Sequence, residues 1–307
     1  VSDLPPNSAT SPKVALVTGA NGGLGRWCSL GLAQRGSVVI LGCRSAQRGQ
    51  AAIDWIHQRV PAANLELLAM DLANLASVQE AAQELAERHH VLDVLVNNAG
   101  VMMLPRAMTV DGFEQQFGIN YLAHYALTAQ LFERLLASEA PRVVSVASLV
   151  ANHGSVQLDD LQGLTHYGRS RAYAQSKLAN LLFGKELARR AETKGLSLTS
   201  VIAHPGFANT GLQRRTGRAN LGRVGEVAMI GANLLFAQSA ERGAIPLIRA
   251  ATDLTLDNGT YLGPDGLKEL WGRKAAPAHV PKAALDEEVA RELWEISATL
   301  SGVSFPL

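Results

Sequence analysis

Tyr173 and Lys177 stand four residues apart in Tyr173-Ala174-Gln175-Ser176-Lys177, downstream of Ser148 and ahead of a long apolar stretch. On a helix, positions i and i+4 share a face, with Cβ atoms about 5–6 Å apart. A phenol and an ammonium can then point into one space. A free phenol has a pKa of about 10, too high to move protons readily at neutral pH. A nearby cation favours phenolate and lowers that value. The pair is an acid/base device in outline. Such spacing also occurs often by chance, so the elements around it must show whether a site is built.

Short apolar runs alternate with longer amphipathic ones through the first two-thirds of the chain. Val14 to Val17, Val38 to Leu41, Leu65 to Ala69, Val91 to Val96, Val143 to Val146 and Leu198 to Ala203 read as buried strands. Helical patterns lie between them at 23–35, 46–60, 74–90, 111–137 and 171–194. Alternating βαβα with apolar strands predicts a mostly parallel sheet covered on both faces. Right-handed crossovers make it a doubly wound α/β (Rossmann) fold. A last strand near Gly259–Leu262 brings the sheet to seven strands.

Beyond residue 205 the alternation loosens. Residues 206–223 read as a mobile substrate loop, followed by helices at 224–237 and 239–251. Residues 263–283 read as an irregular connection. Leu285, Val289, Leu293, Ile296 and Leu300 form the stripe of a terminal amphipathic helix. There is no repeat and no clean linker. The expectation is a disordered arm over 1–12 and one domain over 13–307, ending in a helical extension over 263–307.

Thr18-Gly19-Ala20-Asn21-Gly22-Gly23-Leu24-Gly25 falls between the first strand and the first helix. Its glycines let the backbone turn sharply and approach a ligand closely. The following helix start offers free N–H groups and positive dipole to a pyrophosphate. A glycine-rich motif in strand–turn–helix context points to dinucleotide binding.

The spacing Thr-Gly-x-x-x-Gly-x-Gly resembles that of the short-chain dehydrogenase/reductase family, and further motifs follow in the family's order over roughly residues 12–265. Asp71-Leu72 follows the third strand. Asn97-Asn98-Ala99-Gly100 ends the fourth. Asn120 stands in Phe117-Gly118-Ile119-Asn120, Ser148 ends the fifth strand, and Tyr173 and Lys177 open the next helix. His204-Pro205-Gly206 closes the sixth strand, with Thr210 four residues on. The Ser148-to-Tyr173 gap of 25 residues is longer than in the commonest members. With Ser176-Lys177-Leu178-Ala179-Asn180 it resembles the retinol dehydrogenase, WW-domain oxidoreductase and protochlorophyllide reductase branch, which acts on bulky apolar substrates.

The resemblance implies a catalytic tetrad of Asn120, Ser148, Tyr173 and Lys177. Tyr173 would be the general acid in reduction and the base in oxidation. Lys177 would lower its pKa and hold the nicotinamide ribose. Ser148 would donate to the carbonyl oxygen as negative charge builds there. Asn120 would stabilise Lys177 through a water and complete a proton relay. Cofactor contacts are implied at Gly19, Asn21, Gly23, Leu24 and Gly25, at Asp71 and Leu72 toward the adenine, and at Asn98, Ala99 and Gly100. Tyr173, Lys177, Pro205, Gly206 and Thr210 complete that set. Met102, Met103, Leu149 and Phe207 are candidates to line an apolar substrate pocket. His204 reads as the start of a fixed turn rather than a chemical group.

Cofactor choice is read at the end of the second strand. An acid there binds the ribose 2′-OH of NAD, whereas an Arg suits the 2′-phosphate of NADP. Cys43 occupies the acid's place and Arg44 follows with a forked cation. NADP(H) is favoured over NAD(H). The expected activity is NADP(H)-dependent interconversion of a carbonyl and an alcohol on a bulky, mostly apolar small molecule. Reduction of a carbon–carbon double bond is one alternative. A non-catalytic NADP-binding sensor or scaffold is another, though such proteins lose tetrad residues and here all four stand.

The remaining composition narrows partners. Lys plus Arg is 28 against 27 Asp plus Glu, a formal charge of +1, which offers no pull toward nucleic acid. No run of 18 apolar residues predicts a membrane span. Cys28 and Cys43 suggest neither a disulfide framework nor a metal site, and the histidines show no ligand spacing. The expected location is cytoplasmic. A homodimer or homotetramer could form through the 111–137 and 171–194 helices or the last strand, unless residues 263–307 cover that surface.

Overall fold

The computed structural model describes residues 12–209 and 238–307. Six parallel strands follow in order: β1 Val14–Thr18, β2 Val38–Cys43, β3 Leu65–Ala69, β4 Val94–Asn97, β5 Arg142–Val146 and β6 Thr199–Ala203. The sheet runs β3-β2-β1-β4-β5-β6, then β9 Tyr261–Pro264 parallel to β6, then β10 Ala275–Pro277 antiparallel to β9. A separate ladder pairs β7 Ala208–Asn209 with β8 Gln238–Ser239.

Side chains alternate across the strands, so one sheet serves two cores. On β1, Leu16 enters the core on one face, while Ala15 and Val17 enter the other. The helices α3 Leu75–Arg88, α5 Ala123–Gln130 and α7 Arg169–Thr193 cover the first face. The helices α1 Gly23–Ala33, α2 Ala46–His57 and α8 Ala240–Thr252 cover the second. Ser45 caps α2 through Arg48 N, and Asn74 caps α3 through Ala76 N and Ser77 N.

The chain winds outward from β1 to β3, then returns to β4 on β1's other side. The loops leaving β1 and β4 therefore diverge, and a crevice opens at the carboxyl edge between them.

Two expectations change. The sheet has an eighth strand, β10, inside the stretch read as irregular. It is three residues long and ends in Pro277, too short for an alternation to register. The helix expected over 111–137 is broken into α4 Gln115–Phe117, a π-helical turn Gly118–Leu122, α5 and α6 Phe132–Leu136. The helix expected at 224–237 lies outside the described residues, as do most of the 206–223 loop and the N-terminal arm.

The C-terminal helix α9 Glu287–Ser301 packs against α7 and α5. Trp294 stacks on Phe183 with centroids 5.6 Å apart. Phe305 meets Tyr125 and Phe132 edge-on, each at 5.2 Å. These aromatic contacts lie on α5, α6 and α7, within the 111–137 and 171–194 segments that the sequence offered for subunit pairing.

Candidate active site

The glycine turn and the end of β4 meet closely. A Cβ on Gly19 would lie 2.9 Å from Ala99 Cα, and Gly19 sits at φ +66°. A Cβ on Gly25 would lie 2.5 Å from Gly19 O. Both positions admit only glycine. Helix α1 is preceded by Gly22 at its N-cap, which offers no side-chain cap and leaves its first N–H groups for an anion.

Thr18 locks this junction. Its hydroxyl oxygen accepts the N–H groups of Asn98 and Ala99, each at 2.9 Å. Asn98 Nδ2 donates back to Thr18 O at 2.7 Å. The result is a cleft of about 270 Å³ running from Gly100 and Val101 past the glycine turn to Arg44, Asp71 and Leu72. The close-approach glycines and the uncapped helix suit a dinucleotide pyrophosphate. Arg48 lines the same end as Arg44. The sequence reading missed it, although a position one turn into a helix that Ser45 caps is where a second cation would reach the same ligand. One Asp71 oxygen is already held by Ala73 N at 3.0 Å.

Tyr173 and Lys177 lie on the first turns of α7 and are both buried. Ser148, at the end of β5, is half-buried and hydrogen-bonds the Tyr173 phenol. Burial dominates the phenol and pushes it up to about 12, and the Ser148 bond opposes it. The expected cation effect is not what acts on the chain alone. The Lys177 amine donates to Val146 O at 2.9 Å, and its own burial lowers it to about 8.

Asn120 is fully buried within the π-helical turn, a deformation common at functional sites. Its side chain bridges Val101, accepting from Val101 N at 2.7 Å and donating to Val101 O at 2.9 Å. It also donates to Ser176 Oγ at 2.9 Å. Its backbone carbonyl accepts from Nδ1 of buried His124 at 2.9 Å. The side chain therefore holds the loop leaving β4 in place, and a Cβ on Gly100 would lie 3.0 Å from its Oδ1 and 3.7 Å from Lys177 Nζ. Nε2 of the same His124 takes the Thr18 hydroxyl at 2.9 Å. A line of hydrogen bonds thus links the glycine turn, the end of β4 and Asn120. Thr18 and His124 were not singled out from the sequence, because the link spans 106 positions.

The proposed pocket residues follow the carboxyl ends of three adjacent strands. Met102 and Met103 come after β4, Leu149 after β5 and Phe207 after β6, and all four are half-buried. Met103 sits at φ +48° with its N–H donated to Gln116 Oε1 at 2.6 Å. The 149–170 insertion is anchored beside them. Tyr167 Oη meets Glu114 Oε1 at 3.1 Å and Leu104 O at 3.0 Å, and Gln116 Nε2 donates to Tyr167 Oη at 3.1 Å. Pro205 and Gly206 turn the chain after β6, with Gly206 at φ +64°. Thr210 lies outside the described residues.

Comparison with known proteins places the chain in a family. The family model described as short chain dehydrogenase matches residues 13–220. Human retinol dehydrogenase 13 is 40% identical over 306 residues, covering 98% of this chain and 88% of that protein. Mouse polyprenol dehydrogenase is 38% identical over 305 residues, covering 97% and 86%. The crystal structure of an uncharacterized protein from Mycobacterium paratuberculosis has a TM-score of 0.79 and 36% identity, covering 98% of this chain and 97% of that one.

Proposed function

The chain belongs to the short-chain dehydrogenase family, and on that premise we propose that it is an NADP(H)-dependent oxidoreductase interconverting a carbonyl and an alcohol on a bulky, apolar small molecule. One observation carries the reaction class. The phenol of Tyr173, the hydroxyl of Ser148 and the amine of Lys177 stand at the carboxyl ends of central strands, next to a glycine-lined cleft.

The bound nicotinamide supplies the hydride in reduction and accepts it in oxidation. Every other part falls to the protein. Ser148 holds the substrate oxygen, whose negative charge grows as the carbon is reduced. Tyr173 passes its phenol proton to that oxygen and takes one back in the reverse direction. Lys177 places a cation near the phenolate that results, and so favours it. Asn120 keeps the Val101 backbone in register with the end of β4.

The NADP preference is supported by Arg44 and Arg48 at one end of the cleft and by Cys43 in place of an acid. The Cys43 thiol is buried and pushed up to about 11, chiefly by that burial, so it supplies no anion against a phosphate. The apolar substrate is supported by Met102, Met103, Leu149 and Phe207, and by the names of relatives that carry retinol and polyprenol.

The test is a screen of NADPH oxidation against terpenoid, aromatic and steroidal aldehydes and ketones, with enones as the contrast. Turnover of a carbonyl by the wild type, lowered by roughly a hundredfold or more in Tyr173→Phe with NADPH binding retained, is the expected result. Preserved turnover in Tyr173→Phe would remove the mechanism, and reduction of the enone double bond alone would change the reaction class.

A further inference from the structure

His204 is a buried polar side chain at the end of β6 for which the acid/base mechanism has no use. Its ring is fully buried, packed on Tyr261 with centroids 5.2 Å apart. Gly263 makes room for it, since a Cβ there would overlap the ring. Nδ1 accepts the N–H of Gly206 at 3.2 Å. An accepting nitrogen carries no proton, so the ring's proton sits on Nε2. Nε2 donates it to Glu269 Oε2 at 2.9 Å. The contact is therefore a neutral imidazole donating to a carboxylate, not a pair of full charges.

Glu269 is held as tightly from the other side. Its second oxygen accepts His279 N at 2.7 Å. Its backbone lies at φ +58°, following Lys268 at φ +49°. Left-handed conformations are uncommon for such residues and persist where the surroundings over-determine them. The hydrogen bond from His204 leads the influences that lower the carboxyl of Glu269. The same short segment grips the turn after β6 at two more points. Phe207 N donates to Leu270 O at 2.9 Å. A Cβ on Gly206 would lie 2.6 Å from Leu270 O and 2.8 Å from Glu269 O. Gln238 adds a third tie, donating to Pro205 O at 2.7 Å and accepting from Gly272 N at 3.2 Å.

We propose that His204 and Glu269 form a positioning pair that sets the Pro205–Gly206–Phe207 turn, and with it the nicotinamide end of the cofactor cleft. The inference rests on the cofactor reading above. Neither residue touches the reacting atoms. The imidazole spans from the backbone of the turn to a carboxylate carried on left-handed backbone in the β9–β10 connection, so the turn cannot move without breaking a buried, charge-assisted hydrogen bond. Pro205 and Gly206 are thereby fixed at the end of β6, next to β5, whose carboxyl end carries Ser148 and accepts from Lys177.

The experiment uses the full chain with two near-isosteric variants, Glu269→Gln and His204→Gln, alongside wild type. Hydrogen exchange of the 204–208 backbone, measured without cofactor, should speed up by roughly tenfold or more in both variants while exchange in β1 and β5 is unchanged. Single-turnover hydride transfer from NADPH should fall by roughly tenfold or more, because small misplacements of reacting groups are costly. The NADPH dissociation constant should change by less than about threefold, since the pyrophosphate end is anchored elsewhere. Wild-type exchange at 204–208 in both variants overturns the proposal, as does a hydride-transfer rate equal to wild type. Equal loss of binding and transfer would mark the pair as structural only and also overturn it. A wild type that passes hydride to no carbonyl refutes the functional reading instead, and the exchange measurement still judges the pair.

Discussion

The Thr18 hydroxyl and Nε2 of His124 lie 2.9 Å apart, across 106 positions of sequence. Nδ1 of that ring must be the donor toward Asn120 O, because a carbonyl can only accept. Nε2 is then the acceptor and Thr18 the donor. The glycine turn and the π-helical turn that carries Asn120 are joined through one neutral ring.

That ring makes stability pH-dependent. Burial lowers His124 from 6.5 to about 4. Between those values the unfolded chain binds more protons than the folded one, so stability falls as pH drops from 6.5 toward 4 and stops falling below that. The full effect is roughly 3 kcal/mol. His124→Asn should flatten this acid limb in thermal melts taken from pH 4 to 7. An unchanged limb in the variant would show that the histidine is not its source.

Lys177 has the same kind of cost with a different window. Burial lowers the amine from 10.5 to about 8. The fold therefore carries the charge at a cost of roughly 3 kcal/mol below pH 8, and the cost fades as pH rises toward 10.5. Val146 O keeps a second donor, Asn180 Nδ2 at 3.1 Å, when the amine is removed. Lys177→Met should raise the melting temperature at pH 7 while turnover is lost. A lower melting temperature would contradict this account of a stability sacrificed for function.

Arg44 and Arg48 should share the 2′-phosphate. Each charge-assisted hydrogen bond to a charged group is worth about 1.5–3 kcal/mol. Arg44→Ala and Arg48→Ala should each raise the KM for NADPH by roughly tenfold or more, with that for NADH nearly unchanged. Equal effects on both cofactors would deny the arginines a phosphate role.

Trp294 tests the C-terminal helix. Its ring stacks on Phe183 and meets Tyr125 edge-on at 5.2 Å, and it is buried. Trp294→Ala should cost about 3–5 kcal/mol in urea unfolding. A loss below about 1 kcal/mol would mean that α9 adds little to the core.

Local patterns were enough for the fold class and for bringing Tyr173 and Lys177 to one helical face. Val38 to Leu41 had to be a buried strand because every residue in it is apolar, and Gly19 to Gly25 could only be a close-approach turn. Tyr173 and Lys177 share a helical face whatever surrounds them. Short-range rules failed where a partner comes from far along the chain. The π-helical turn at Asn120 goes with a side chain pinned to Val101 and a carbonyl bonded to His124, and neither contact leaves a periodic mark. Strand β10 exists because β9 offers it an edge. Spacing made the Tyr–Lys pair possible. The tertiary structure decided its electrostatics, because burial depends on which elements close over a side chain, and here burial outweighs the pair's mutual influence.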